Sequence, residues 1–206
     1  MTDIDILRMP ILTVASPRYT SELLERQVAD LLVAVDGFSS VREARAALDA
    51  ANAELEKLAT RQASLNDKAC ELHRRLGNHR ERLRDALIAD RALTDAELQS
   101  AGTTKVESDG VAAALELLIT VLIPESKRRV ISADVAYLRA RSAGILSVAT
   151  ARGQRIVEQA AILADADGAV EINLARVPTI GLLLSKMERL DELATQGRKQ
   201  LDDTKG

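Results

Sequence analysis

The chain has 206 residues, of which 47% are hydrophobic, 29% are charged and 1% are aromatic, with a net charge of −3. The hydrophobic fraction is too high for a disordered chain. The scarcity of aromatic side chains argues against a compact globular enzyme, whose core usually contains several. With 28 basic and 31 acidic residues, there is no overall basic excess that would indicate a nucleic-acid partner.

The cellular compartment is indicated by the single cysteine, Cys70. One cysteine cannot form an internal disulfide, so we expect a reducing compartment, the cytoplasm. The first residues lack a basic region ahead of an apolar run, and we therefore predict no signal peptide. No stretch reaches the roughly 18 apolar residues that a membrane span requires. The many Ala, Arg, Leu and Asp residues are typical of a bacterial protein.

The N-terminal region is predicted to be extended over residues 1–19, because Pro10 and Pro17 exclude a continuous helix. The apolar spacing that follows predicts a first helix over 21–35. A turn is predicted directly after it, over 36–39, where the sequence reads Asp-Gly-Phe-Ser.

The strongest pattern in the sequence is a heptad seam that predicts a long helix over 40–100. Ser40 and Glu43 have the form of a capping box at its start. Apolar or small residues then recur at alternating spacings of three and four, which is the pattern of a coiled coil. The seam consists of Val41, Ala44, Leu48, Ala51, Leu55, Leu58, Gln62, Leu65, Ala69, Leu72, Leu76, His79, Leu83 and Ala86. A second capping box, at Thr94 and Glu97, predicts a break or kink near residue 93.

The second half of the chain is predicted to contain further helices. A loop is expected over 101–110 and an apolar helix over 111–123, which Pro124 would stop. The other elements are a second long helix over 126–166, a strand over 169–177 and a last amphipathic helix over 179–204. The second long helix has a less regular seam, formed by Ile131, Val135, Leu138, Ser142, Ile145, Ala149, Arg152, Ile156, Gln159 and Leu163.

These elements predict a mainly all-α fold. We expect a single elongated helical domain over 1–206, in which two long antiparallel helices carry shorter helices along their length. The strand over 169–177 and the N-terminal segment would form a minor two-stranded β ribbon.

The sequence offers no residue pattern typical of a metal, cofactor or catalytic site. Cys70 and His79 are nine residues apart, which places them half a revolution apart on a helix and excludes a shared metal. Aligning Gly168 with the invariant glycine of a calcium loop puts Leu163 and Leu174 at two ligand positions, so a plain turn is favoured over a calcium site. No glycine-rich phosphate loop or nucleophile motif is present. We therefore predict a protein that is not an enzyme and has no cofactor.

A basic stretch on the first long helix is a candidate anion-binding site, formed by Arg74, Arg75, Arg80 and Arg82. Nearby acidic residues, among them Asp67, make an ordinary solvated surface the simpler explanation. A coiled-coil protein that binds nucleic acid is nevertheless kept as an alternative function, although no aromatic residues interleave for base stacking.

The positions that flank the seam indicate how the first long helix packs. They are predominantly basic, with Glu54 as the only acid. A parallel in-register homodimer would place Arg75 near Arg80 of its mate and gain almost no attractive pairs. We therefore predict that this helix packs antiparallel within its own chain, or on a partner with acidic flanks.

The apolar helix over 111–123 is too short to span a bilayer and is typical of a buried helix. Its position between two long helices, near the tip of the hairpin they would form, is broadly similar to the layout of α-helical pore-forming toxins. A membrane-active protein is therefore the first alternative. The main prediction is a scaffold or adaptor that forms homo- or hetero-oligomers through helix–helix contacts. The predicted interface residues are Leu55, Leu58, Leu65, Leu72, Leu76, Leu115, Leu118, Ile119 and Leu122.

Overall fold

The computed structural model describes residues 21–167 and 177–203, and all of its regular structure there is helical. The helices are α1 (Ser21–Asp36), α2 (Ser39–Ile88), α3 (Asp95–Leu117), α4 (Ile123–Asp167) and α5 (Pro178–Asp203). A π-helical turn over Leu118–Leu122 joins α3 to α4 without a break. The predicted all-α class is therefore confirmed. The segment 1–19 and all but the last residue of the predicted strand lie outside the described residues.

The chain divides into two compact units. Unit 1 comprises Met1–Ala50 and Val130–Gly206, and unit 2 comprises Ala51–Arg129. The predicted first helix, the turn at Gly37 and Phe38, and the predicted last helix are all confirmed within unit 1.

The core of unit 1 is formed by α1, the start of α2, α4 and α5. The buried residues of α1 recur at helical spacing, because one face of this short helix is turned to the core. Aliphatic side chains from all four segments form one cluster, and its most buried members are Val28, Leu31, Val35, Val41, Ile145 and Leu183. The helices of unit 1 are thus held by aliphatic packing.

Two glycines allow close approach between helices in unit 1. A Cβ atom at Gly144 of α4 would lie 2.8 Å from Cγ1 of Val35 and 3.2 Å from Cδ2 of Phe38. A Cβ atom at Gly197 of α5 would lie 2.7 Å from Cγ2 of Val135. Such distances are shorter than normal van der Waals contact. The absence of a side chain at Gly144 and Gly197 therefore makes room for the side chains that pack against α4 and α5 at these positions.

Polar contacts fix the edge of the same core. Nε of Arg141 lies 2.8 Å from Oδ1 of Asp36, and Nη2 of Arg141 donates a hydrogen bond of 3.0 Å to Oδ2. The guanidinium of Arg45 lies 5.9 Å from the ring centre of Tyr137, within the range of a cation–π contact. These contacts join the end of α1 and the first turns of α2 to α4.

Three predicted boundaries are wrong. The first long helix ends at Ile88 and not near residue 100. The predicted loop over 101–110 is part of α3, where Thr103 and Thr104 donate hydrogen bonds to the carbonyls four residues earlier. Pro124 does not stop the helix, which runs from Asp95 to Asp167 through the π-helical turn.

The π-helical turn explains how the helix accommodates Pro124. A proline inside a helix lacks an N–H, and its ring collides with the carbonyl four residues earlier, here that of Thr120. In this chain the N–H of Ile123, the residue before the proline, donates to the carbonyl of Leu118, five residues back. The widened turn gives the ring room where an α-helical turn would not.

The expected position of the apolar segment 111–123 is also wrong. It lies along one arm of a hairpin in unit 2, whose tip is formed by residues 89–94. The predicted layout with an apolar head between two separate long helices is therefore absent from the described part of the chain.

Candidate interaction surface

The surface is built on an antiparallel hairpin in unit 2, formed by α2 from Ala51 onward and by α3 with the π-helical turn. Near the tip, Nε2 of His79 lies 3.4 Å from Oγ1 of Thr104. At the other end, Nη1 of Arg129 donates a hydrogen bond of 3.1 Å to Oε1 of Glu54. The same number of residues separates the two contacts on each arm, from Glu54 to His79 and from Thr104 to Arg129, as expected for an antiparallel pair of helices. The prediction that the first long helix packs antiparallel within its chain is confirmed for this part.

The buried side of the hairpin follows the heptad seam. Every seam position of α2 is buried or half-buried, whereas its other residues between 42 and 85 are exposed, apart from the half-buried Gly77. A matching seam on α3 was missed because its residues near 104 are small and polar. It consists of Glu97, Ala101, Thr104, Ser108, Val111, Leu115, Leu118 and Leu122, none of which is exposed. Its alternating spacing was the signal that could have shown it.

The tip of the hairpin is closed by two local motifs. After α2, the N–H of Arg91 donates to the carbonyl of Ala86, and Asp90 adopts a left-handed backbone with φ of 51°. This is a Schellman ending, in which an aspartate occupies the position that glycine usually takes. Before α3, the predicted capping box is confirmed, because Thr94 Oγ1 accepts from the N–H of Glu97 and Glu97 accepts from the N–H of Thr94.

Glu97 also holds the guanidinium of Arg91, with hydrogen bonds of 3.0 and 3.2 Å. The hydrogen bond from Arg91, followed by those from the backbone and hydroxyl of Thr94, lowers the pKa of Glu97 from 4.5 to about 2. The carboxylate therefore stays charged at pH values between about 2 and 4.5, at which an ordinary glutamate is already mostly protonated.

The tip should consequently lose stability in acid. A carboxyl whose pKa is lower in the folded state stabilises the fold above its unfolded pKa, and this contribution is lost as the pH falls from about 4.5 towards 2. We expect Glu97→Gln to unfold at lower urea concentration than the parent at pH 7, and the difference to shrink as the pH falls from about 4.5 towards 2. Urea titrations at several pH values would measure this. Glu81→Gln, an exposed neutralisation on α2, is the control; an equal effect from it would contradict the assignment.

A polar groove of about 630 Å³ opens beside His79, on one flank of the hairpin. Arg75 and Arg82 supply its positive charge, and Glu107 is its one acid. The remaining lining residues contain no carboxylate, ammonium or guanidinium group: Asn78, His79, Ala96, Gln99, Ser100, Thr103 and Thr104. The groove is rich in hydrogen-bond donors and carries a net positive charge.

The groove is one end of a longer row of cations, which we call the basic flank: Arg61, Lys68, Arg75 and Arg82. They recur every seven residues, so they lie on one side of α2, roughly 10 Å apart. The contact between Glu54 and Arg129 marks the far end of the same side.

The structure separates the four predicted anion-binding residues. It brings Arg75 and Arg82 together in the groove. Arg74 points away from the seam and pairs with Glu71 at 2.9 Å, and Arg80 lies on the other flank by its heptad position. The four residues therefore lie on three sides of one helix, and their role in anion binding stays a prediction.

The α3 arm brings apolar side chains to the basic flank. Leu117 and Val121 are 52% and 39% exposed, and they occupy heptad positions on the same side as the groove. With the half-buried Ala114, they form what we call the apolar strip. Extending the register set by the His79–Thr104 and Glu54–Arg129 contacts along the two arms brings Val121 level with Arg61 and Ala114 level with Lys68.

The predicted interface residues divide into three groups by their exposure. Leu72 and Leu118 are buried inside unit 2, and Leu55, Leu58, Leu65, Leu76, Leu115 and Leu122 are half-buried along its seam. Ile119, by contrast, is 50% exposed. That these residues contact a partner protein remains a prediction.

The histidines and the cysteine are spread over the hairpin. Cys70 and His73 are exposed, and His79 lies in the seam. No group of three or more His, Cys, Asp or Glu side chains that could hold a metal occurs in the part of the chain that the structure describes. Within residues 21–167 and 177–203, no helix is both long and apolar enough to cross a membrane.

Comparisons of this chain with protein-family models, with curated proteins and with solved structures found no match.

Proposed function

We propose that this protein is a non-enzymatic scaffold or adaptor that assembles into an oligomer through coiled-coil contacts between helices. It would work in the cytoplasm of a bacterium, as the single exposed thiol and the composition favour. Its affinity would come from apolar side chains that the chain leaves uncovered, at about 25 cal/mol per Å² before ordering costs.

One observation carries this proposal: the segment 111–123 is covered on one side only. Leu118 is 2% exposed, whereas Leu117, Ile119 and Val121 around it are between 39% and 52% exposed. Aliphatic side chains exposed on both flanks of a buried seam support further helix packing, because their burial removes apolar surface from water.

The oligomer can be tested by absolute mass, measured by light scattering on a sizing column. The wild-type chain should give a multiple of its 22.3 kDa. Replacing Leu117, Ile119 and Val121 by serine should shift the mass towards the monomer, since the uncovered apolar surface is removed. Val106→Ser, an exposed position on the same helix away from both flanks, is the matched control.

A wild-type monomer at all concentrations would contradict the proposal, as would an equal loss of mass in the control. A monomer that forms large oligomers only in mild detergent would instead favour the membrane-active alternative.

A further inference from the structure

The basic flank carries more positive charge than the hairpin neutralises. Arg75 lies 3.7 Å from Glu71, but Glu71 also binds Arg74. Within the described chain, Arg61, Lys68 and Arg82 have no ion pair. On the α3 arm, the positions facing this flank from Gly110 to Val121 are Gly110, Ala114, Leu117 and Val121, none of which is charged. Beyond the π-helical turn, the exposed Glu125 lies one turn before Arg129 and is the next acid on this side after Glu107.

This pattern differs from that of a solvated helix face. On such a face, charges of both signs alternate and no apolar side chains intervene. Here four successive heptad positions, Arg61, Lys68, Arg75 and Arg82, are all positively charged and lie beside exposed aliphatic side chains. In coiled coils, charges at these positions select a partner helix of opposite charge.

We propose that the basic flank and the apolar strip bind an acidic amphipathic helix of a partner protein, which would lie along the hairpin as a third helix. This inference rests on the proposed function, because it names the kind of helix that the scaffold would assemble. From Arg61 to Arg82 the flank is about 30 Å long, which matches a helix of roughly 20 residues.

The flank also fixes the pattern that such a partner should have. Its apolar seam would cover Leu117 and Val121, and a glutamate or aspartate every seven residues would face Arg61, Lys68 and Arg82. The donor-rich groove at His79 would receive a polar end of the partner helix. An acidic helix is favoured over nucleic acid because aliphatic, and not aromatic, side chains line the strip.

The test uses the full chain and three synthetic peptides of 21 residues, each with leucines in a heptad seam and a fluorescent label. One carries glutamate at every flanking position, the second lysine and the third glutamine. Fluorescence anisotropy should show that the glutamate peptide binds the wild-type chain most tightly. Arg61→Glu with Lys68→Glu should weaken its binding about tenfold and should strengthen binding of the lysine peptide.

The control variant carries Arg80→Glu and Arg84→Glu, the same change in charge on the other flank, and should bind the peptides like the wild type. The proposal is overturned if the three peptides bind equally or not at all, or if the control variant behaves like the test variant. It is also overturned if the test variant loses binding only to anionic vesicles or to a single-stranded oligonucleotide.

The mass of the free protein separates this inference from the proposed function. If the oligomer forms normally but does not bind the glutamate peptide, the inference is wrong and the proposed function is unaffected. If Arg61→Glu with Lys68→Glu instead lowers the mass of the free protein, the occupant is a second copy and the inference is wrong. If the wild-type chain is a monomer at all concentrations, the proposed function is wrong.

Discussion

Leu118→Asp is expected to unfold the hairpin of unit 2. Leu118 is 2% exposed and lies in the seam between the two arms. Aspartate would leave part of its space empty and would bury a carboxylate without a partner, so we expect a loss of about 4–5 kcal/mol in the free energy of unfolding. Hydrogen exchange resolved by peptide would show fast exchange over residues 51–129.

The neighbouring Leu117→Asp is the matched control, since this side chain is 52% exposed. It should leave the exchange pattern unchanged while lowering the mass of the oligomer. Wild-type exchange in the Leu118 variant would show that Leu118 is not a core residue. Leu117 is the better probe of assembly, because a fall in mass on changing Leu118 could follow from unfolding alone.

Leu183→Ala is expected to have the largest effect of a truncation in unit 1. Leu183 is fully buried in the cluster that joins α1, α4 and α5. Removing most of its side chain should lower the free energy of unfolding by about 2–5 kcal/mol, through lost burial and a residual cavity. Urea unfolding followed by circular dichroism would measure the change.

Leu193→Ala supplies the comparison on the same helix. Leu193 is 42% exposed, so its truncation should change the free energy of unfolding by much less, about 0.5 kcal/mol. Equal effects at the two positions would contradict the packing of α5.

The seam of α2 could be predicted because its period is regular and its residues are mostly leucine and alanine. The seam of α3 has the same period, but Thr104 and Ser108 replace aliphatic residues in it. Threonine has a low intrinsic helix propensity, so the local sequence resembles a loop. Packing against α2, together with hydrogen bonds to the carbonyls four residues earlier, outweighs that preference.

The surface was harder to predict than the fold. Heptad positions show which cations share a side of one helix, yet the apolar strip belongs to the opposite arm. Its relation to Arg61 and Lys68 depends on the hairpin register, which the contacts at His79 and Glu54 establish. Sequence spacing within one helix does not contain this information.

The π-helical turn before Pro124 has a consequence for how the chain tolerates insertion and deletion. A turn with hydrogen bonds five residues apart contains one residue more than an α-helical turn of the same height. A homologue with alanine in place of Pro124 would have no need of the wider turn. We would expect it to be one residue shorter between positions 117 and 124, so that the proline and the additional residue are gained or lost together.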